Sequence, residues 1–418
     1  MSILQNTYPP WTALKNAQKM TRTAAVNAVK AAGLLEYGRS DLRPVAAAWD
    51  LAVGAQEKPD KVIGALDNSD TEHMFLAVLR QNPAAVVEGL AIAAYATGAG
   101  AIEVVIPAGD AALKQLVVDA ARGCGVAVSV TTGIVDVRAA RKSIVHHLAT
   151  AAAIAALFAG PEQFQKSTVV AVKKADQTVG EPLEIPYGRT VGDIAGINKT
   201  ATLKAVGIGT KLYDPSALDL VIEETFPLEN GVITLYDSSC CMADQAAKAM
   251  LAIRKQSCGK CTFCREGAIQ IHTMLKDITG GKGKTSDPAM IREIAEAMPY
   301  SCLCSLGQNG GAFPLAVLQY FGEEVESHIR KQKCPAAVCQ AFTNIYIDPV
   351  TCEGCGDCLD VCPAACIEGK PGFIHLIDEF DCTKCGKCVD VCANGSIKRT
   401  QGRRPKLPER LTRVGRFK

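Results

Sequence analysis

The stretch Cys352-Glu-Gly-Cys355-Gly-Asp-Cys358-Leu-Asp-Val-Cys362-Pro363 is followed by a second copy of its pattern, Cys382-Thr-Lys-Cys385-Gly-Lys-Cys388-Val-Asp-Val-Cys392. Each run has the spacing C-x2-C-x2-C-x3-C, which wraps one turn of backbone around an iron–sulfur cube. In such a pair three thiolates of a loop ligate one cluster, and the fourth cysteine reaches the other cluster. Cys352, Cys355, Cys358 and Cys392 are therefore assigned to one [4Fe–4S] cluster, and Cys382, Cys385, Cys388 and Cys362 to a second. Zinc closes its sites with separated Cys pairs or Cys/His sets, and disulfides do not persist in a reducing cytosol, so neither explains four cysteines in one run. Gly354, Gly356 and Gly386 suit a backbone that must turn its N–H groups onto the sulfides.

The surrounding chain of 418 residues has room for two or three domains. Hydrophobic residues make up 48% and aromatics 5%, and the excess is largely Ala, which suits closely packed helices rather than a membrane protein. The most apolar run, Ala151 to Gly160, is too short to span a bilayer, so no membrane span is expected. No secretory signal pattern opens the chain, which points to a cytoplasmic protein. The nineteen cysteines fall at metal spacings rather than in the pattern of a small secreted scaffold. A net charge of +2 gives no footprint for nucleic acid. The tail from Arg403 to Lys418 is basic and reads as solvated.

Moving toward the N-terminus, Ser257-Cys258-Gly-Lys-Cys261-Thr-Phe-Cys264-Arg265-Glu266-Gly267 is a third cysteine loop leading into a helix. Three cysteines alone could hold zinc; a fourth from Ser301-Cys302-Leu-Cys304-Ser-Leu-Gly307, after an intervening helix pair, would close a third [4Fe–4S] site. Residues 1–163 alternate helices (Arg22 to Gly33, Ala84 to Gly98, Asp110 to Gly123) with strands (Lys61 to Leu66, Glu103 to Pro107, Val126 to Val130). That alternation predicts an α/β, Rossmann-like domain with a largely parallel sheet. Residues 164–217 hold short strands (Ser167 to Lys173, Leu183 to Pro186, Thr190 to Ile194, Lys204 to Gly209) between Gly/Pro turns, as in a small β-grasp domain. A helical domain with one cluster is expected over 218–332, the two-cluster module over 333–400 and the tail over 401–418.

The segment SCGKCTFCREG with a later C-x-L-G resembles the NADH-binding flavoprotein subunit of respiratory complex I, and the flavin subunits of NAD-dependent and electron-bifurcating [FeFe]-hydrogenases. The resemblance extends to Val87 through Tyr95, to the β-grasp segment (SLBB-like in that family) and to Ser238-Ser-Cys-Cys-Met242. It implies that the fourth ligand of the middle cluster precedes Leu-Gly, which selects Cys304 over Cys302. The added ferredoxin-like 2[4Fe–4S] end, entered through Lys333-Cys334-Pro-Ala-Ala-Val-Cys339, looks like the hydrogenase-type branch.

The family's flavin pocket is altered at three places. Where its members carry a loop like GRGGAGFPTGxKW for flavin mononucleotide (FMN), this chain has Gly38-Arg39-Ser40-Asp41-Leu42-Arg43-Pro44 through Trp49. Side chains thus occupy places where backbone must approach phosphate and ring. The acidic NADEGEPG segment is replaced by Ala65 to Glu72. The CGEETALLESLEG motif of the nicotinamide site has no counterpart, the chain running from Val137 through Arg141 directly into the helix that follows. Neither FMN nor NAD is expected to bind in the family's manner. The thioredoxin-like [2Fe–2S] extension of hydrogenase-type members is not expected in this chain either.

In hydrogenase-type relatives the joint before the ferredoxin module looks like a structural metal site. Zinc held by Cys334, Cys339, His375 and Cys366 would close a tetrahedron, with His328 as an alternative ligand and plain buried thiols as the competing account. Cys240 and Cys241 match a Cys-Met pair of the family and read as packing residues. His272 reads as a surface or packing histidine. The expectation is an electron-transfer subunit with three [4Fe–4S] clusters and no residue of acid–base or hydride chemistry. Its partners would be a flavin- or NAD(P)-binding subunit, a small thioredoxin-like [2Fe–2S] subunit, a catalytic subunit and a ferredoxin. The alternatives are a flavin-binding, NAD(P)H-oxidising subunit and a structural docking scaffold.

Overall fold

The computed structural model describes residues 2–5, 7–39, 41–197, 203–401 and 404–417. Ser40 of the altered flavin loop, and Arg403 and Lys418 of the tail, lie outside them. The chain forms two compact units, one made of Met1–Ser238, Lys248–His272 and Met290–Tyr320, the other of Ser239–Ala247, Thr273–Ala289 and Phe321–Lys418.

The first unit is built on a parallel sheet of β1 (Lys61–Ala65), β2 (Ala101–Ile106), β3 (Ala127–Thr132) and β4 (Ile144–His147), in the order β3-β2-β1-β4. Val62 of β1 sits between Ile102 and Ile144 on the buried face, while Lys61 and Thr131 both hydrogen-bond Glu103 on the opposite face. The order reverses at β1, so the β1/β4 boundary is a topological switch point, where parallel sheets leave a crevice beyond the strand ends. Of the helices α1 (Thr12–Gln18), α2 (Arg22–Ala32), α3 (Val45–Gly54), α4 (Leu76–Gln81), α5 (Pro83–Thr97), α6 (Ala111–Ala120) and α7 (Leu148–Ala159), α5, α6 and α7 pack against its strands and α1 to α4 pack against α5.

α5 begins where the Asn82 side chain accepts a hydrogen bond from the Ala85 N–H, with Pro83 at the first helical position, and it stops at Gly98 in the left-handed region. α5 and α7 are buried on nearly every side, which explains the alanine excess: small side chains let two covered helices approach closely. At the crossing a Cβ on Gly89 would lie 1.8 Å from the Ala151 carbonyl oxygen. The helix expected to follow Arg141 directly is preceded by β4, because Ile144 to His147 finds a free edge of β1 to pair with.

A second sheet in this unit joins β5 (Ser167–Lys174), β6 (Leu183–Pro186) and the strands Leu203–Ile208, Lys211–Tyr213 and Val232–Asp237. Val232–Asp237 is the central strand, parallel to β5 and antiparallel to Leu203–Ile208, so the sheet runs past the boundary expected at residue 217. The strand expected over Thr190 to Ile194 is instead a two-residue strand ending in a helix, Val191–Ala195, because the Thr190 hydroxyl caps the Asp193 N–H at 3.1 Å.

In the second unit Thr343–Ile347 pairs antiparallel with Ile397–Gln401. Between them the two cysteine loops enter short helices, Asp357–Asp360 and Lys387–Val391, through Gly356 (φ 104°) and Gly386 (φ 84°), a conformation that disfavours a side chain. The basic tail is not simply solvated. Thr412–Arg413 pairs antiparallel with Phe373–Ile374, and Arg404 forms an ion pair with Glu379.

Candidate metal centres

In the first unit Cys258 and Cys261 lie on the loop after the helix Met242–Gln256. Cys264 sits in a π-turn, Phe263–Gly267, which opens into the helix Ala268–Thr279. Such turns change which side chains face one direction, and they concentrate at functional sites. Arg265 ties the loop back by donating from Nη1 to the Gly259 carbonyl at 2.7 Å, while the Ser257 hydroxyl lies 3.3 Å from the Cys264 sulfur. Cys302 and Cys304 follow the helix Asp287–Ser301, and both pack with Cys261 and Cys264 in one small cluster. Cys302 thus joins the cysteines assigned to the middle site. Burial and the nearby Cys264 push the Cys302 thiol up to about 12.

In the second unit Cys362, Cys382, Cys385 and Cys388, the set assigned to one cluster, line one small cavity with Ile345 and Ile367. Cys366, expected in a zinc site, borders this cavity instead, its sulfur 3.5 Å from that of Cys362. For the other set, burial and the neighbouring Cys355 push the Cys358 thiol up to about 12. Such a thiol loses its proton when a metal ion binds the sulfur, the proton passing to solvent. Backbone N–H groups already aim at sulfur: Ser396 donates to Cys392 at 3.2 Å and Lys384 to Cys382 at 3.4 Å.

Among the described residues, a compact group that could hold a metal ion lies elsewhere in this unit. Cys241, His328, Cys334 and Cys339 are all buried, with donor atoms within 4.8 Å of one another. The His328 Nε2 lies 3.3 Å from the Cys241 sulfur and 3.5 Å from that of Cys339, and these two sulfurs are 3.5 Å apart. A tetrahedral ion with metal–sulfur bonds of about 2.3 Å puts sulfurs roughly 3.8 Å apart, so this group matches one zinc-sized ion rather than a cube. His328 Nδ1 donates to the Glu324 carbonyl at 2.7 Å, which fixes the tautomer and turns the Nε2 lone pair toward the sulfurs. Hydrogen bonds from Cys241 and Cys339 hold the Cys334 thiol far below its usual range.

The zinc set expected from sequence is corrected in two members. Cys334 and Cys339 are brought together, but with Cys241 and His328. His375 lies instead with its Nδ1 4.0 Å from the Cys352 sulfur. Cys241 read as a packing residue because its partners are 87 to 98 residues away, whereas His328 is the ligand the sequence named as an alternative.

At the β1/β4 switch point a cavity of about 380 Å³ is bounded by Arg39, Asp67, Asn68, His147 and, on one wall, Cys304 and Gln308. Arg39 donates to Asp41 at 2.7 and 2.8 Å and lies 3.8 Å from Asp67. Behind the cavity Trp49 donates from Nε1 to His146 Nε2 at 2.8 Å, and His146 hydrogen-bonds the buried Glu36. These polar groups are satisfied by one another. The exception is His147 Nε2, buried without a partner among the described residues.

Two family models match the chain. Residues 244–328 match the NADH-ubiquinone oxidoreductase-F iron-sulfur binding region, and residues 344–400 match a 4Fe-4S dicluster domain. The NADP-reducing hydrogenase subunit HndC of Solidesulfovibrio fructosivorans is 29% identical over 84% of this chain and 85% of its own length. The F-type subunit of NADH-quinone oxidoreductase from Streptomyces coelicolor is 36% identical over 26% of this chain and 24% of its own length. The chain is homologous to HndC and to these F-type proteins.

A crystal structure of NAD+-reducing [NiFe]-hydrogenase in the H2-reduced state superposes with a TM-score of 0.64 at 19% identity, covering 78% of this chain and 66% of that one. At that identity the likeness establishes the fold. The F-type region contains Cys258, Cys261, Cys264, Cys302 and Cys304, and the dicluster region contains all eight cysteines of the repeated loops. Cys241, Cys334 and Cys339 fall outside both regions, and His328 is the last residue of the first. No helix among the described residues is long and apolar enough to cross a membrane.

Proposed function

We propose that this chain is an iron–sulfur electron-transfer subunit of a multisubunit oxidoreductase. It relays electrons through three [4Fe–4S] clusters and carries no flavin of its own. The carrying observation is the cavity whose walls bring Cys362 from the first loop to Cys382, Cys385 and Cys388 of the second, the cross-over that a two-cluster module requires. Cys352, Cys355, Cys358 and Cys392 would hold the partner cluster, and Cys258, Cys261, Cys264 and Cys304 the middle one. Bound there, such clusters supply one-electron transfer. The residues of this chain fix their positions, aim N–H groups at sulfur and exclude water, and these settings determine the potentials.

Homology to proteins of NADP-reducing hydrogenase and NADH-quinone oxidoreductase supports work inside a larger complex. The partners we propose are a flavin- or NAD(P)-binding subunit, a thioredoxin-like [2Fe–2S] subunit, a catalytic subunit and a ferredoxin. Cys241, His328, Cys334 and Cys339 would hold a structural zinc ion. The loss of the flavin is supported at Arg39, whose guanidinium is occupied by Asp41 and Asp67 rather than open to a phosphate. A second reading, a flavin held in a remodelled pocket, draws on the cavity beside Cys304. Diaphorase activity of the whole chain would favour that reading.

Electron paramagnetic resonance (EPR) of the dithionite-reduced chain tests the relay. Cys258→Ala should abolish the signal of the middle cluster, leave those of the two-cluster module intact and stop turnover of the assembled complex. Turnover at the wild-type rate would take the middle cluster off the path.

A further inference from the structure

We infer that His375 is a positioning residue for electron transfer: its Nδ1–H donates to the sulfur of Cys352 and raises the reduction potential of the cluster that Cys352 helps to hold. The inference rests on the assignment of Cys352 as a cluster ligand. His375 is 2% exposed, and its Nδ1 stands 4.0 Å from the Cys352 sulfur. A thiolate bound to iron can only accept, so the ring hydrogen belongs on Nδ1. The other ring nitrogen, Nε2, is buried with no hydrogen-bond partner among the described residues. A ring kept only to fill this space would be better as a phenyl group, which buries no unpaired nitrogen. What the imidazole offers that a phenyl cannot is polar contact, with the sulfur of Cys352 at 4.0 Å and with the Phe373 backbone.

The surroundings hold the ring in that place. A Cβ on Gly369 would lie 2.0 Å from His375 Cδ2, so the backbone presses directly on the imidazole from one side. The preceding pair, Phe373–Ile374, is clamped between the tail strand Thr412–Arg413 and the first cysteine loop, where the Gly372 N–H donates to the Gly354 carbonyl at 3.2 Å. Both clamps fix His375 relative to Cys352. His375 is also the single histidine from residue 344 onward, so the second loop has no equivalent donor. A hydrogen bond to a ligating sulfur withdraws charge and favours the reduced cluster, and the bond therefore sets the two clusters of the module apart in potential.

The test is a redox-poised EPR titration of the full chain, purified without oxygen, as wild type, His375→Phe and His375→Asn. In His375→Phe one of the two module potentials should move to a more negative value while the other stays. His375→Asn, which keeps an N–H near the Nδ1 position, should restore most of the shift. Unchanged potentials in His375→Phe, or equal shifts of both clusters, would overturn the inference. Pulsed EPR of the reduced wild-type chain labelled with 15N-histidine decides the matter if the phenylalanine variant loses iron. A weak imidazole coupling that His375→Asn removes is expected, and its absence overturns the proposal. Iron analysis of the same wild-type sample separates the two levels: missing iron defeats the cluster reading, whereas full iron with unmoved potentials defeats this inference alone.

Discussion

Burial pushes the Asp70 carboxyl up to about 7, even though its Oδ1 accepts from the backbone N–H groups of His73 at 2.8 Å and Glu72 at 3.0 Å. The folded value lies above the unfolded value of about 3.9, so the folded chain holds the extra proton and stability falls as pH rises from about 4 to about 7. His147 acts in the opposite sense. Burial lowers its imidazole to about 4, below the unfolded value of about 6.5, so stability is lost as pH falls through that window. Over most of the acid range the two slopes oppose each other. Asp70→Asn keeps the accepting oxygen and removes the ionisation. Thermal melts should show a gain in apparent unfolding temperature over wild type that grows from pH 5 to pH 8, about 2–4 °C per kcal/mol recovered. Superimposable melts at pH 8 would refute this reading of Asp70. The same physics limits what sequence can show about single residues. Eleven of the twelve cysteines proposed as cluster ligands stand in loops whose spacing is that of a cube, whereas Cys304 was selected only through the resemblance. Cys241 is not legible as a ligand, and His328 was named only as an alternative ligand, since a tetrahedral site needs only that four side chains meet, whatever their separation along the chain. His375 stands farther along the chain from Cys334 and Cys339 than His328 does, and its ring lies beside Cys352 instead.

Among the elements, α5 and α7 carry the first unit. Their contact at Gly89 and Ala151 leaves no room for a methyl group, so Gly89→Ala must separate the two helices despite the better helix propensity of alanine. Overpacking of this kind costs about 1–3 kcal/mol. The apparent unfolding temperature should fall by several degrees with iron content unchanged, and an unshifted melt would show that the helices can part freely. Helix ends were readable where a residue has one job, as with Gly33 and Gly98 in the left-handed region. The stretch after Thr190 was misread because its apolar residues suit a strand, whereas the Thr190 hydroxyl claims the next turn for a helix. Val232–Asp237 was left outside its sheet because its two partners, β5 and Leu203–Ile208, precede it by dozens of residues. Pairing at that range is set by which edges remain open, a property of the assembled sheet.

At the scale of the whole molecule, two compact units divide the redox sites. One carries the middle cysteine loop and the cavity at the switch point, and the other carries the two-cluster module and the compact Cys/His group. The parallel sheet and its crevice are retained, yet polar side chains around the crevice bind one another instead of presenting a bare backbone to a phosphate. That combination supports the proposed reading of a flavoprotein-like fold that holds no flavin. The most direct test is the iron, zinc and flavin content of the full chain purified without oxygen. The account predicts about twelve irons, about one zinc and no flavin per chain. One flavin per chain, or iron near eight, would contradict it.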